Sequence, residues 1–136
     1  MRTLTLLLAL LSLAACNPGR HTSDRDLVIL DASEIAFLLD EPGRVVLVDV
    51  RPREQYEAGH LPGAVHMPLP AMIAEDEQLA EARAIVVYGQ GDGSRLAAAG
   101  AKKLMRLGYE DVAEFRGGVE AWDGPLVVGD DGSGQP

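Results

Sequence analysis

Cysteine and histidine are scarce in this sequence. The 136 residues contain one cysteine, Cys16, and three histidines. A single cysteine excludes an intrachain disulfide and a dithiol redox pair. Three scattered histidines provide no ligand spacing for zinc. We therefore expect no metal site, and no motif in the chain indicates a cofactor.

Basic residues are also few. The chain has 12 Lys and Arg residues against 21 Asp and Glu residues, a formal net charge of −9, and it contains no basic run. Binding to nucleic acid depends on neutralising phosphates with clustered positive charge, so nucleic acid is not an expected partner. The same argument disfavours binding of anionic lipid through the protein surface.

The N-terminus carries an apolar run that is too short to cross a bilayer comfortably. Arg2 precedes apolar residues 4–13, and small residues follow up to Cys16. A basic start, an apolar centre and a small-residue cleavage site are typical of a secretory signal peptide. Residues 13–16, Leu-Ala-Ala-Cys, also resemble the bacterial lipobox, whose cysteine is lipidated and becomes the mature N-terminus.

We therefore predict that residues 1–15 are a lipoprotein signal peptide and that lipidated Cys16 attaches the protein to a membrane. The predicted location is the periplasmic side of the bacterial cell envelope. Asn17 after the cysteine resembles lipoproteins sent to the outer membrane, where one exists.

The rest of the chain is predicted to form one domain. Polar residues 16–26 indicate a tether, and residues 127–136, rich in Gly and Asp, a disordered tail. Between them, apolar runs alternate with helical segments, which predicts an α/β fold with a parallel sheet and helices on both faces. Strands are expected at 27–30, 45–48, 64–67, 85–88 and 112–115, and helices at 31–39, 52–59, 96–107 and 119–122. Asp31 and Glu34 form a capping pattern at the first helix.

The segment after the strand at 85–88 is the main candidate site. It comprises Gly89, Gln90, Gly91, Asp92, Gly93, Ser94 and Arg95. A glycine-rich loop before a helix N-terminus can hold an anion through its amides. Ser94 is predicted to cap the helix, and Arg95 adds positive charge. Lys102, Lys103 and Arg106 are expected to face solvent and complement the helix dipole. The alternatives are an anion- or peptide-terminus-binding loop and an unused turn.

Asp49 and Arg51 also follow an apolar strand. Ligands of open α/β sheets bind beyond the carboxyl ends of the strands. The two residues are therefore candidates for the pocket rim. The alternative is a structural ion pair that involves Glu54 or Glu57.

Four motifs give the chain a family resemblance. They are Asp-Val-Arg at 49–51, Tyr-Glu-x-Gly-His at 56–60, Pro-Gly-Ala at 62–64 and Gly-Gly-Val-Glu-Ala-Trp at 117–122. In this order the chain resembles a rhodanese domain over about 27–122, within a predicted domain at 27–126. The resemblance implies a five-stranded parallel sheet flanked by helices. Sulfurtransferases of this family use a Cys-x-x-Gly-x-Arg loop whose Cys carries sulfur as a persulfide.

This loop departs from the family form because it contains no cysteine. Counting back from Arg95 places Gln90 at the family Cys position. Counting forward from Tyr88 places Gly89 there, in a longer loop like the Cys-x5-Arg of related dual-specificity phosphatases. Neither register supplies the thiolate that both chemistries need.

The sequence predicts a lipid-anchored rhodanese-like domain without sulfurtransferase activity, which acts as a binding or regulatory module in the cell envelope. Its partner is a small oxyanion or a protein. The alternative is an enzyme of the sulfurtransferase or phosphatase type that uses an unconventional loop residue such as Ser94.

Overall fold

The computed structural model describes residues 26–40 and 44–129. The predicted signal peptide, Cys16 and most of the predicted tether lie outside the described residues. The strands are β1 (Val28–Leu30), β2 (Val45–Asp49), β3 (Val65–His66), β4 (Ala84–Tyr88) and β5 (Val112–Phe115); the helices are α1 (Ala32–Asp40), α2 (Arg53–Ala58), α3 (Leu96–Leu107) and α4 (Gly118–Ala121), with a 3-10 turn at Leu69–Ala71. Within the described chain, none of the helices is long and apolar enough to cross a membrane.

The five strands form one parallel sheet in the order β1-β5-β4-β2-β3. This confirms the predicted fold class. Successive residues of β4 point to opposite faces, so Val87 lies in one buried cluster and Val86 in the other. The first cluster includes Ala97, Ala101 and Leu104 of α3. The second includes Ile35 of α1 and Tyr56 of α2, so helices cover both faces as expected.

Capping residues in the sequence correctly predict the start of α1 and the end of α3. Asp31 Oδ1 accepts from the Glu34 amide at 2.9 Å, and Glu34 Oε2 accepts from the Asp31 amide at 2.8 Å, which is a complete capping box at α1. The α3 helix ends at Gly108, which adopts a left-handed φ of 103°. At the start of α3, however, Arg95 and not Ser94 occupies the N-cap position. The Ser94 hydroxyl only approaches the Leu96 amide, at 3.4 Å.

Residues 127–129, which the sequence assigned to a disordered tail, make backbone contacts near α2. Val127 pairs antiparallel with His60, exchanging hydrogen bonds of 2.8 and 2.9 Å. The Gly129 amide donates to the Glu57 carbonyl at 2.7 Å. Two apolar residues, Val127 and Val128, precede the Gly- and Asp-rich segment. The backbone of Val127 is hydrogen-bonded to His60, which follows α2. Residues 130–136 lie outside the described residues.

The short helix α4 lies directly against the loop after β4. The Val119 amide donates to the Gly89 carbonyl at 3.2 Å, and the Glu120 amide donates to the Gln90 carbonyl at 2.9 Å. Gly118 makes this approach possible, because its φ is +56° and an added Cβ would collide with the Gly89 carbonyl and lie 2.8 Å from the Gln90 carbonyl carbon. The glycine pair at 117–118 therefore supports the conformation of the loop.

Replacing Gly118 with alanine should destabilise the protein more than replacing Gly63. Both glycines have positive φ, but a Cβ on Gly63 would meet nothing within 4 Å. Left-handed backbone alone costs a non-glycine residue about 1 kcal/mol, and a forced contact adds about 1–3 kcal/mol. Denaturant unfolding of Gly118→Ala and Gly63→Ala measures the difference. Equal losses would show that α4 is free to move away from the loop.

Tyr88 makes stability depend on pH in the alkaline range. Burial, and secondarily the nearby Asp49 carboxylate, raises the pKa of the Tyr88 hydroxyl well above its usual value. Because the folded-state pKa lies above the unfolded value near 10, this contribution is fully present below about pH 10. It is lost as pH rises further, since only the unfolded state then ionises readily.

Tyr88→Phe should therefore reduce the fall in unfolding free energy between about pH 9.5 and 11, by up to about 1.4 kcal/mol per pH unit. At neutral pH the variant should lose about 1–2 kcal/mol, because the Leu61 amide no longer has its phenolic acceptor at 3.1 Å. Urea unfolding across this pH range measures both effects. An alkaline slope equal to that of the unmodified protein would contradict the argument.

Candidate functional site

The candidate site lies where β2 and β4 end side by side. Asp49, the last residue of β2, is in register with Tyr88, the last residue of β4. The Val50 amide donates to the Tyr88 carbonyl at 3.1 Å, so the two chains stay together beyond the strands. The segment containing Arg51 and the loop 89–95 therefore leave the same edge of the sheet.

Asp49 and Arg51 form a buried ion pair beneath the loop. They are 0% and 4% exposed. The Asp49 carboxylate accepts from Arg51 Nη2 at 2.7 Å, from Arg51 Nε at 3.1 and 3.2 Å, and from the Arg51 amide at 2.9 Å. Neither Glu54 nor Glu57 takes part as the sequence suggested; Arg53 is the partner of Glu57, at 3.5 Å on the surface. A charge this deeply buried requires such a complete set of partners.

The same guanidinium group also holds the surrounding segments. Arg51 Nη2 donates to the Gly59 carbonyl at 2.7 Å, and Nη1 donates to Gln90 Oε1 at 3.2 Å. The Arg51 carbonyl lies 2.8 Å from His66 Nε2. One side chain thus joins β2, the end of α2 and the glycine-rich loop, which the fixed fork of donors in arginine makes possible.

The two candidate positions for the family cysteine differ in their surroundings. A Cβ on Gly89 would lie 3.4 Å from Ser94 Oγ and 3.9 Å from the Ala97 Cβ, so position 89 faces the start of α3. Gln90 is exposed, and its side-chain carbonyl reaches Arg51. Only position 90 therefore presents a side chain both to solvent and to the buried guanidinium group.

The loop retains donors that an anion could use. The Ser94 amide donates to the Gly91 carbonyl at 2.9 Å. The amides of Gln90, Gly91, Asp92 and Gly93 donate to no group in residues 26–40 or 44–129. The carboxylate of Glu120 lies against Gly91, where it would collide with an added Cβ. The loop therefore combines available amides with a neighbouring negative charge that weakens anion binding.

The histidines near the site have structural contacts. The His60 ring stacks on Tyr56 with centroids 3.8 Å apart, and His60 Nδ1 lies 2.9 Å from the Tyr56 carbonyl. His66 is held by the Arg51 carbonyl. In the part of the chain that the structure describes, no group of three or more His, Cys, Asp or Glu residues could hold a metal ion.

Arg95 lies along a groove beside α3, which Asp92 and Ser94 of the loop also line. Lys102, Arg106 and Arg116 line the same groove. The sequence predicts that Lys102, Lys103 and Arg106 face solvent, and it gives no role to Arg116. Lys103 instead donates from Nζ to the Leu69 carbonyl. The sequence could have predicted that Arg95, Lys102 and Arg106 lie together. Their positions are separated by seven and four residues, so they share one face of the helix. Arg116 reaches the groove only through the order of the strands.

Comparison with known proteins identifies relatives of this arrangement. A model of the rhodanese-like domain matches residues 31–124. The chain is 39% identical over 74 residues to the HTH-type transcriptional regulator Rv0324 of Mycobacterium tuberculosis, which covers 49% of this chain and 33% of the relative. It is 34% identical over 86 residues to the adenylyltransferase and sulfurtransferase UBA4 of Meyerozyma guilliermondii, which covers 57% of this chain and 20% of the relative. The matched region thus spans only a third or less of these relatives.

Solved structures agree with the sequence matches. The BH2092 protein from Bacillus halodurans superposes with a TM-score of 0.65 at 25% identity, covering 74% of this chain and 77% of that one. The Alr3790 protein from Anabaena superposes with a TM-score of 0.61 at 31% identity, covering 73% and 81%.

The matched residues include strands β2 to β5, the buried Asp49–Arg51 pair and the loop above it, whereas β1 lies just before the match. From the family match, and from a fold shared with these structures, the chain belongs to the rhodanese-like domain family, which has sulfurtransferases among its members.

Proposed function

We propose that this chain is a rhodanese-like domain that does not transfer sulfur and acts as a binding module in the bacterial cell envelope. The observation that carries the proposal is the glutamine at position 90, whose Oε1 accepts from the buried Arg51 at 3.2 Å. The loop contains no cysteine at any position from 89 to 95. We infer that Gln90 is the counterpart of the family cysteine, because position 90, and not position 89, presents a side chain to the buried guanidinium group of Arg51.

Sulfur transfer by way of a persulfide makes a specific demand on the residue at this position. The nucleophile must attack a sulfane sulfur, hold it covalently and release it in a second step. A thiolate can do this, and a neutral carboxamide cannot. Electrostatic stabilisation by the loop amides does not replace a missing covalent step.

A glutamine at this position is compatible with an intact site. Its carbonyl oxygen satisfies a guanidinium donor that would otherwise lose a partner, so the buried ion pair remains stable without a thiolate. The loop amides stay available to a ligand. An intact ion pair and available loop amides together favour a domain that still binds a ligand over a domain whose site has become disordered.

An enzyme that uses Ser94 as the nucleophile has less support. Ser94 Oγ approaches the Leu96 amide at the start of α3, and the rings of His60 and His66 are engaged with backbone carbonyls. No described histidine is hydrogen-bonded to this hydroxyl to serve as a general base.

The proposed location depends on the N-terminus. Residues 13–16 resemble a lipobox, and Cys16 would carry the lipid anchor on the periplasmic side of the envelope. Each buried methylene contributes about 0.8 kcal/mol to membrane attachment, so several acyl chains would hold the domain firmly.

The mature domain should show no thiosulfate:cyanide sulfurtransferase activity above background. Replacing Gln90 with cysteine should introduce a reactive thiol, because Arg51 and the loop amides would lower its pKa below the usual value near 8.5. Gly89→Cys is the matched control, since a side chain there faces α3. In protein carrying Cys16→Ser, iodoacetamide should modify Gln90→Cys at least about tenfold faster near pH 7 than Gly89→Cys.

Two results would contradict this proposal. Sulfurtransferase activity in the unmodified domain would refute the binding-module interpretation. Faster modification of Gly89→Cys would instead favour the longer, phosphatase-like register of the loop.

Lipidation at Cys16 can be tested in a bacterial host. Mass spectrometry of the membrane-extracted protein should show a mature chain that begins at a diacylglyceryl-modified or triacylated Cys16. Cys16→Ser should prevent both the modification and the cleavage. An intact Met1 or cleavage at another residue would exclude the lipoprotein assignment.

A further inference from the structure

A groove beside α3 is lined by four positively charged side chains. It runs between α3 and the end of β5 and has a volume of about 660 Å³. Arg95, Lys102 and Arg106 line it from the helix side, and Arg116 lines it from the segment after β5. Four cations thus meet in one groove of a chain whose net charge is −9.

The two acidic residues of the groove, Asp92 and Glu114, cancel only part of this charge. Glu114 is 1% exposed, and its Oε2 accepts from Arg116 Nη2 at 3.1 Å, so this carboxylate positions the arginine. Asp92 lies on the exposed loop. The guanidinium groups of Arg95 and Arg106 form no ion pair or hydrogen bond with any group of residues 26–40 and 44–129. Two arginines that bind nothing else in the described chain are available to a ligand.

The spacing of the cations sets the size of that ligand. Arg95 and Arg106 are eleven residues apart, which corresponds to about 16 Å along a helix. This distance matches about five residues of extended chain, at roughly 3.3 Å per residue. A single oxyanion could contact only a part of this row.

We propose that this groove binds an extended acidic peptide segment of a partner protein. The proposal rests on the function proposed above, because it gives the binding module its class of partner. Carboxylates spaced along an extended strand can pair with the successive cations, and arginine favours bidentate contacts with carboxylates. The acidic remainder of the domain would repel such a segment elsewhere and so direct it to the groove.

The test uses the mature chain with Cys16→Ser and a fluorescent octapeptide of alternating Glu and Ser. The octapeptide with Gln in place of Glu is the control ligand. Fluorescence anisotropy at low salt should detect binding of the Glu peptide only. Lys102→Glu and Arg106→Glu should each weaken it about tenfold, or 1.4 kcal/mol. Arg83→Glu, an equal charge change outside the groove, should weaken it less than twofold.

Several outcomes would overturn the proposal. They are equal effects of Arg83→Glu and Arg106→Glu, equal binding of the Gln peptide, and displacement of the peptide by inorganic phosphate at concentrations similar to those of the peptide. Binding to phosphatidylglycerol vesicles but not to the Glu peptide would assign the groove to a membrane. Lys102→Gln and Arg106→Gln, with a thermal melt of each variant, separate loss of charge from loss of folding. The sulfurtransferase assay tests the proposed function independently, since it does not involve Lys102 or Arg106.

Discussion

The buried pair of Asp49 and Arg51 is the interaction on which the site depends. Both residues are almost completely removed from solvent, so each charge is stable only while the other is present. Loss of one member of such a pair typically costs about 3–5 kcal/mol. Arg51 uses its remaining donors to hold Gly59 and Gln90, and its carbonyl lies against His66. The electrostatic requirement of one buried pair therefore organises three segments that are distant in the sequence.

This arrangement explains how the loop keeps its conformation without a cysteine. The loop above Arg51 is held from one side by the backbone of α4 and from below by the guanidinium group, and neither contact uses a cysteine. Gln90 completes the hydrogen bonding of Arg51 and remains exposed to solvent. The contacts that hold the loop are therefore independent of a nucleophile, which supports the binding role proposed above.

The distribution of charge adds a second level of organisation. Acidic residues exceed basic ones across the chain, yet four cations line the groove beside α3. Arg116 is paired with the buried Glu114, whereas Arg95 and Arg106 have no ionic partner among the described residues. Such an arrangement is typical of a surface whose charges are complemented by a ligand.

Patterns of near neighbours were sufficient to predict most of the fold. The apolar runs at 45–48, 85–88 and 112–115, the capping box of Asp31 and Glu34, and Gly108 as the end of α3 all correspond to the structure, because strands and helix ends are set by local backbone preferences. The absence of a cysteine from residues 89–95 can also be read directly from the sequence. The number of strands came from the family resemblance rather than from these patterns, and their order was not predicted and is known only from the structure.

Only the tertiary structure determined which side chains form ion pairs and hydrogen bonds with one another. Local reasoning offered Glu54 and Glu57 as ionic partners, but the turn after β2 directs Arg51 back onto Asp49. The choice between Gly89 and Gln90 depends on which position faces Arg51, 39 residues away from Gln90 along the chain. Arg116 joins the basic groove because β5 lies next to β4 and under α3. These contacts join residues far apart in sequence, and the free energy of desolvating and pairing them is defined only once the sheet has brought them together.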